Sequence, residues 1–402
     1  MNDPELSSRP LRILMAGQAY FREDNGQAAF TVRISRGLAE RGHTVMAVAP
    51  APPESSQQER MEEGVRIREI RSLSLPHNTS ITLFKASEIA ALLKEFQPDI
   101  IHFQDHYFIS RTLWRMARSA RIKLVGSNHF LPENLTENLP IPRTLKRHIV
   151  RLLWKQMLSM YNHLQAVSTP TATAAAILRD QGLRPPVTAI SCGIDIQRFH
   201  PVTAEERSRI RKRFDLPEDI PIFIFVGRID REKGLDTVLQ AFAGLKDMKR
   251  PPLLLLGGKG SIREELQSMS RELNIQQMVR FPGFIPAEEL PKMLACSDCF
   301  IMAGFAELQS IATLEAMACG LPVVAARARA LPELVSQGEN GFLFTPRDPD
   351  SLEQALREFL SSKDQWKRWG VESRKRAEQH DFQQTVNNYI QWYYSISSCP
   401  ER

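Results

Sequence analysis

Short apolar runs, each closing on small residues and followed by a stretch of helical period, recur along the chain in two separate series. No other feature of the sequence narrows the fold as far. LRILMAG (11–17) leads through a loop to Gly26 and then to AAFTVRISRGLAERGH, where Phe30, Ile34 and Leu38 share one helical face, and TVMAVAP (44–50) supplies the next strand. A helix over 86–96 precedes PDIIHF (98–103), a basic helix precedes KLVGSNHF (123–130), and LQAVST (164–169) precedes TATAAAILRDQG. Strands alternating with helices predict a parallel sheet covered on both faces. PVTAISCGIDIQRFHP (186–201) reads as a strand with a turn-rich exit, a hinge between two domains. The second series then runs through IFIFVG (222–227), helix 234–245, PLLLLGG (252–258), helix 261–273, VRFPGF (279–284), helix 287–295, CFIMAG (299–304), a helix from about 311, PVVAA (322–326) and GFLF (341–344). The expected class is α/β, with two Rossmann-like domains over 1–195 and 196–375 facing each other across a ligand-binding cleft. Residues 376–402 are expected to form a helix that packs back on the first domain and buries the aromatics of VNNYIQWYYSI.

With 402 residues, 43% of them hydrophobic, the chain can build more than one core. The opening MNDPELSSRPLRILMAG lacks the basic region and long apolar core of a signal peptide, and no apolar run approaches the ~20 residues that span a bilayer. Five scattered cysteines fit a reduced, cytoplasmic protein better than a disulfide framework. Cys296 and Cys299 form a lone C-x-x-C pair, expected to sit part-buried at a helix-to-strand turn rather than on a metal. The formal charge of +6 permits nucleotide phosphates, nucleic acid or acidic lipid as a partner and selects none of them.

Chemistry is expected at the C-terminal ends of the strands. In FVGRIDREKGLDTVLQAF (225–242), Arg228 follows a strand and Lys233 precedes a helix, so two cations and free helix amides offer an anion site suited to a diphosphate; a solvated charged loop is the alternative. In AELQSIATLEAMACGLPVVA (306–325), Glu307 lies in a loop, the amides of Ser310 and Ile311 open a helix, and Glu315 sits one turn inside it. Two surface acids would be the plainer reading of those glutamates.

VGRIDREKG, the two glutamates and AMACGLPVVAARARALPELVSQGENGFLF together resemble the donor half of the retaining glycosyltransferases of family 4, which have the GT-B fold. LAERGHTVMAVAP, PDIIHF, SNHF and GIDIQRF extend the resemblance over nearly the whole chain. It implies that Arg228, Lys233 and the amides of Gly26, Ser310 and Ile311 meet the donor diphosphate. It further implies that His129 and Glu307 act at the transferred sugar, Glu315 holds the ribose, and Phe284 and Ile285 flank the nucleobase. Gln309 and Ser310 replace the family's frequent phenylalanine-glycine pair, and a glutamine there resembles glucosyltransferases acting on diacylglycerol; Asn25 replaces the first glycine of the commoner Gly-Gly loop. The implied reaction is retaining, metal-independent, front-face transfer of a hexose from a nucleotide-sugar, with no cofactor. Asp348-Pro-Asp350, the only D-x-D string, reads as a helix N-cap.

Within IPRTLKRHIVRLLWKQMLSM (141–160), Arg143, Arg147, Arg151 and Lys155 recur every four residues with Lys146 beside them. Leu145, Ile149, Leu152, Leu153 and Met157 form an adjoining apolar face, with Trp154 at its edge. A basic amphipathic helix suits an anionic membrane surface, although many such helices pack into their own core. The expectation is a UDP-sugar donor, a lipid acceptor such as diacylglycerol, and peripheral attachment to the cytoplasmic face of the membrane. A GDP-mannose-dependent phosphatidylinositol mannosyltransferase, a transferase with a soluble sugar acceptor and a non-catalytic sugar-nucleotide-binding module remain as rivals. Nucleic acid is not expected, since no aromatic-basic cluster supports it. A dehydrogenase would need G-x-G-x-x-G, and GGKGSIREEL, with Gly257, Gly258 and Gly260, lacks the third glycine of that pattern.

Overall fold

The computed structural model describes residues 9–18, 26–51, 59–75, 79–82, 86–137 and 141–397. The chain is α/β, built from two parallel-sheet Rossmann-like halves. It forms two compact units, one of the described residues up to Phe130, Arg147–Cys192 and the end from Gln383, the other of Leu131–Lys146 and Gly193–Phe382. The divisions thus fall at 192/193 and 382/383, where the sequence suggested 195 and 375, and residues 131–146 group with the second unit.

Among the described residues the first unit's main sheet has eight strands, ordered edge to edge Val187–Ala189, Ala166–Thr169, Lys123–Ser127, Ile100–Phe103, Arg12–Ala16, Thr44–Pro50, Val65–Ile70 and Glu59–Glu62. All pairings are parallel except the last, where Glu59–Glu62 runs antiparallel to Val65–Ile70. That edge strand and the small antiparallel pair Ser72–Leu75 and Thr79–Thr82 were not read from the sequence; in ERMEEGVRIREI (59–70) the alternation of charged and apolar residues is too brief to stand out. Central strands such as Ile13–Ala16 and Ile100–Phe103 are buried on both faces, as covered parallel strands must be.

The second unit's sheet has six parallel strands in the order Val279–Gly283, Leu253–Gly257, Ile222–Val226, Cys299–Met302, Val323–Ala326 and Gly341–Phe344. Numbered along the chain this is 3-2-1-4-5-6, the doubly wound order, whose topological switch lies between Ile222–Val226 and Cys299–Met302. Loops leaving those two strands diverge to opposite sides, which opens a crevice at their C-terminal ends. Cys296 and Cys299 stand at the expected helix-to-strand turn, yet both are fully buried, so neither is a part-exposed thiol. Asp348 caps the helix Pro349–Ser361, its carboxylate accepting from the Ser351 amide at 3.0 Å.

The terminal segment is not one helix from 376: Trp366–Glu378 ends, and a separate helix Phe382–Ser397 begins after a turn. Tyr389 and Tyr393 on that last helix are fully buried in the first unit, and Trp392 is nearly so. The Tyr393 hydroxyl lies 2.7 Å from His102 Nδ1, whose Nε2 lies 2.7 Å from Ser127 Oγ, while the Tyr389 hydroxyl meets Ser168 Oγ at 3.1 Å. Three parallel strands are therefore tied to one helix through a buried polar chain, and every link removed leaves a partner unsatisfied.

Tyr393→Ala should cost about 3–5 kcal/mol through the cavity it leaves. Tyr393→Phe, which deprives only His102 of its partner, should cost about 1–3 kcal/mol. Urea unfolding followed by far-ultraviolet dichroism measures both, and losses below 1 kcal/mol in the pair would mean that this helix does not hold the sheet.

Candidate active site

In the second unit the site starts from backbone packing. Gly227 N–H donates to Gly257 O (3.1 Å), Gly258 N–H to Gly283 O (2.7 Å) and Ile229 N–H to Lys259 O (2.8 Å), so the loops leaving three neighbouring strands are laced edge to edge. Gly258 has φ +135°, and a Cβ there would run into the Gly227 carbonyl. The glycines of GGKG therefore serve close loop packing, which removes the dinucleotide-fingerprint reading. Asp230 fastens the same lacing, since its Oδ1 accepts from the Ser261 amide (3.0 Å) and hydroxyl (2.9 Å).

Arg228 and Lys233 project from this frame. Arg228 donates to Asp230 Oδ2 at 2.7 Å and to Glu232 Oε1 at 2.5 Å; Glu232 is buried while the guanidinium is about half exposed. Lys233 Nζ lies 2.6 Å from Glu307 Oε1, with only 17% and 13% of the two side chains exposed. The predicted diphosphate cation and the predicted sugar-facing acid are thus one ion pair, at the switch between the central strands. Gly234 makes the pairing geometry available: it holds φ +63°, and a Cβ there would stand 2.6 Å from Ala303 O. The turn carrying Lys233 therefore lies directly on the exit of the strand that leads to Glu307.

Ser310 caps the helix Ile311–Ala318, its Oγ accepting from the Thr313 amide at 3.3 Å and the Thr313 hydroxyl at 2.8 Å. Its φ of −89° is ordinary extended backbone, so nothing at this position requires the family's glycine. Glu315 lies half-buried in the same helix, as expected one turn inside. Phe284 is 61% exposed and Ile285 packs against Gly257. Phe284 also lines a cavity of about 390 Å³ with Gly258, Lys259, Ser261 and Arg263, and Lys259 Nζ stands 5.3 Å from its ring centroid. Lys259, Arg263, Asp230 and Glu232 went unmarked in the sequence, although a lysine between glycines at a strand exit was a usable signal.

In the first unit, Gly26 opens the helix Gly26–Glu40, exposed and with open space where a Cβ would stand; Asn25 lies outside the described residues. His129, two residues beyond the strand Lys123–Ser127, packs on Phe30 with ring centroids 4.7 Å apart, and its Nδ1 lies 3.6 Å from Cys192 Sγ. Burial lowers its pKa to about 4, so the ring is neutral at pH 7. Its Nε2 is buried without a hydrogen-bond partner among the described residues, as are Gln104 Nε2 and His106 Nε2 just beyond the neighbouring strand Ile100–Phe103. Three such atoms lie just beyond the C-terminal ends of adjacent strands, and leaving each unpaired costs about 1–3 kcal/mol. QDH (104–106), polar and directly after a buried strand, was the overlooked sequence signal.

The basic helix, Arg143–Tyr161, corrects its sequence reading. Trp154 is buried with Met157, Met160 and Tyr161, whereas Leu145 is 48% and Leu152 66% exposed. Arg143, Arg147, Arg151 and Lys155 are exposed, and Lys146 is half-buried. The apolar face proposed from spacing is thus divided between core and surface.

The neutral, buried histidines give the first unit a defined acid response. His102 is lowered to about 3, and His106 and His129 to about 4, all chiefly by burial. The unfolded chain takes up protons below about pH 6.5 while the folded one does not, so stability falls as pH drops from 6.5 towards 4. Each histidine should cost about 2 kcal/mol by pH 5. Asp105, whose carboxyl is raised by burial, acts in the opposite sense and returns part of the loss at lower pH. Unfolding free energies at pH 7 and 5 should show this drop, and His129→Gln should shrink it by one histidine's share; an unchanged pH dependence would refute the assignment.

Two family models match this chain: Glycosyltransferase Family 4 over residues 24–198 and Glycosyl transferases group 1 over residues 206–376. The chain is 27% identical to a sulfoquinovosyl transferase of Arabidopsis thaliana, over 98% of this chain and 76% of that one. It is 35% identical to a GDP-mannose-dependent alpha-(1-6)-phosphatidylinositol monomannoside mannosyltransferase of Mycolicibacterium smegmatis, over 46% of this chain and 50% of that one. The Anabaena protein HepE, solved with UDP-glucose, superposes with a TM-score of 0.76 at 19% identity, covering 95% of this chain and 99% of its own. Spanned by both family models, and carrying a cation–carboxylate pair at the switch point of its second sheet, the chain belongs to the family 4, group 1 glycosyltransferases of GT-B fold.

Proposed function

We propose that the protein transfers a hexose from a UDP-sugar to a hydroxyl of a membrane lipid such as diacylglycerol, with retention and without a metal. The observation that carries the donor half is the Lys233–Glu307 pair beside Arg228 and the cavity lined by Lys259 and Phe284. A diphosphate brings the charge that Lys233 and Arg228 now find in carboxylates, and once Lys233 turns to it, Glu307 is released to accept from sugar hydroxyls. The Ser310 and Ile311 amides add the positive end of a helix to the same anion, Glu315 receives the ribose, and Phe284 and Ile285 flank the base. HepE's complex with UDP-glucose supports uracil as that base.

In the transfer step the bond from the sugar's C1 to the phosphate oxygen breaks as the acceptor oxygen bonds C1 on the same face. The acceptor proton passes to the departing phosphate. Arg228, Lys233 and the amides of Gly26, Ser310 and Ile311 stabilise the charge developing there. Neutral His129 bonds the transferred sugar through Nε2, while Gln104 and His106 offer their unpaired nitrogens to acceptor hydroxyls. The lipid acceptor is supported by the phosphatidylinositol-linked relative and by the exposed cations Arg143, Arg147, Arg151 and Lys155, with Lys146 beside them. These cations suit peripheral attachment to an anionic cytoplasmic leaflet. The same relative uses GDP-mannose, which keeps a phosphatidylinositol mannosyltransferase as the second reading.

Transfer from radiolabelled UDP- and GDP-sugars into a lipid extract tests both. Label from one UDP-sugar in the organic phase is the expected result; label from GDP-mannose alone favours the second reading, and label only in soluble sugars overturns the lipid acceptor. Lys233→Met and Glu307→Gln should each lower turnover by about 10²–10³-fold with the fold intact by dichroism. Turnover within threefold of the parent in both variants would refute the donor assignment.

A further inference from the structure

The first unit holds a second cavity, of about 520 Å³, lined by Arg151, Trp154, Lys155, Ser159, His163 and Arg184 among others. It lies along the outer side of the helix Arg143–Tyr161 and the turn after the helix Ala172–Asp180, among none of the residues assigned above to donor or acceptor. Its walls are tied together. Asn162, also in the lining, accepts from the Arg184 amide at 2.9 Å and donates to Gly182 O at 3.2 Å. Ser159 Oγ receives Arg111 from the neighbouring helix at 3.2 Å, and His163 packs on Trp114.

The charge around it is one-sided. Between Asp105 and Asp180 the only carboxylates in the sequence are Glu133 and Glu137, while arginine and lysine recur throughout. Several arginines elsewhere are paired: Arg36, Arg66, Arg211, Arg228 and Arg376 all meet carboxylates within 3.1 Å. Arg151, Lys155 and Arg184 have no ion pair among the described residues, and no carboxylate lines the cavity. Trp154, 4% exposed, contributes an indole N–H that finds no acceptor among the described residues. Three cations without an ion pair among the described residues, around a fixed polar lining in which Asn162 keeps a second amide N–H, match the oxygen-rich, charged surface of a phosphate monoester or diester. Leu152 stands 66% exposed, one residue from Arg151, where it would enter the acyl boundary of a bilayer.

We propose that this cavity is a phosphate-headgroup site, in which Arg151, Lys155 and Arg184 seat the phosphate of an anionic phospholipid while Leu152 enters the membrane beside it. The site deepens the membrane reading of the basic helix: it turns a diffuse charged stripe into a pocket selective for phosphate, and adds Arg184 and Asn162, which the stripe does not contain. It is separate from the donor site, so its failure leaves the glycosyl-transfer reading standing.

The test is co-sedimentation of the full chain with phosphatidylcholine vesicles carrying either phosphatidylglycerol or oleate at matched surface charge, alongside calorimetric titration with glycerol 3-phosphate. Each cation at a generic anionic surface contributes roughly fivefold in binding. The expected result is at least tenfold tighter binding to the phosphatidylglycerol vesicles than to the oleate vesicles. Arg184→Gln and Lys155→Gln should each abolish that preference, while Arg143→Gln, on the same helix but outside the cavity, lowers binding to both vesicles alike and keeps the preference. Leu152→Ser should weaken both kinds of vesicle binding. Equal binding to the two charged vesicles, or equal loss of preference from all three cation variants, would overturn the pocket. Binding of glycerol 3-phosphate with no vesicle binding would overturn the lipid as its source. All variants are surface changes, and an unshifted melting temperature confirms that each is folded.

Discussion

The ion pair between Lys233 and Glu307 is the interaction to which the rest of the second unit is fitted. It joins the two loops that diverge at the switch of the sheet, and so spans the crevice that a doubly wound order creates. Such a pair exists only if both loops are held closely. On one side Gly234 lets the short turn Arg231–Lys233 settle on the Ala303 backbone, and the Phe305 amide donates to Glu232 O at 3.3 Å. On the other, the Glu307 carbonyl accepts from the Ala330 amide at 3.2 Å. A half-buried pair of this kind is weak evidence for stability, since desolvation offsets much of the attraction. Its value lies in keeping a cation and an acid oriented in a crevice until a ligand separates them.

The first unit solves a different problem. Its central strands are buried on both faces, so polar groups at their C-terminal ends must be satisfied internally or kept for a ligand. His102, Ser127 and Ser168 are satisfied, by tyrosines from the last helix of the chain. His129, His106 and Gln104, one to three residues beyond the ends of the same strands, each keep a nitrogen without a partner among the described residues. The change from paired to unpaired coincides with the passage from strand to loop. Burial keeps all three histidines neutral, which suits hydrogen bonding to hydroxyls rather than attraction of an anion.

Much of this was legible in the sequence, for a physical reason. Parallel strands covered on both faces must be short, continuous and apolar, so PIFIFVG and PLLLLGG announce themselves, and the helices between them keep a 3.6 period. Arg228, Lys233 and Glu307 stand at strand exits, but position alone left a solvated loop and surface acids as the plainer readings, and the family resemblance is what marked them as a site. What stayed hidden depends on partners distant in sequence. Nothing local says that Asp230 binds Ser261, that the Tyr393 hydroxyl meets His102, or that Arg184 joins Arg151 across a turn. The helix Arg143–Tyr161 misled for a related reason: its leucines follow the amphipathic period, but only its second half meets the core, so Leu152 is exposed where Trp154 is buried.

The placement of charge ties these observations together. At the switch of the second sheet Arg228 and Lys233 already have carboxylate partners: Arg228 with Asp230 and Glu232, Lys233 with Glu307. An incoming diphosphate must therefore compete for charge that is already neutralised. It can do so because it brings two negative groups and several acceptor oxygens to cations held a few residues apart on one rigid turn, and because the displaced Glu307 has hydroxyls to accept from instead of being stranded. A smaller anion satisfies only one cation and leaves an acid half-buried and unpaired, which costs several kcal/mol. On the proposed donor reading, this pairing favours a ligand that carries both a diphosphate and a polyhydroxyl group over simple phosphate. The cavity at Arg151, Lys155 and Arg184 is built the other way: its cations have no ion pair among the described residues for an anion to displace.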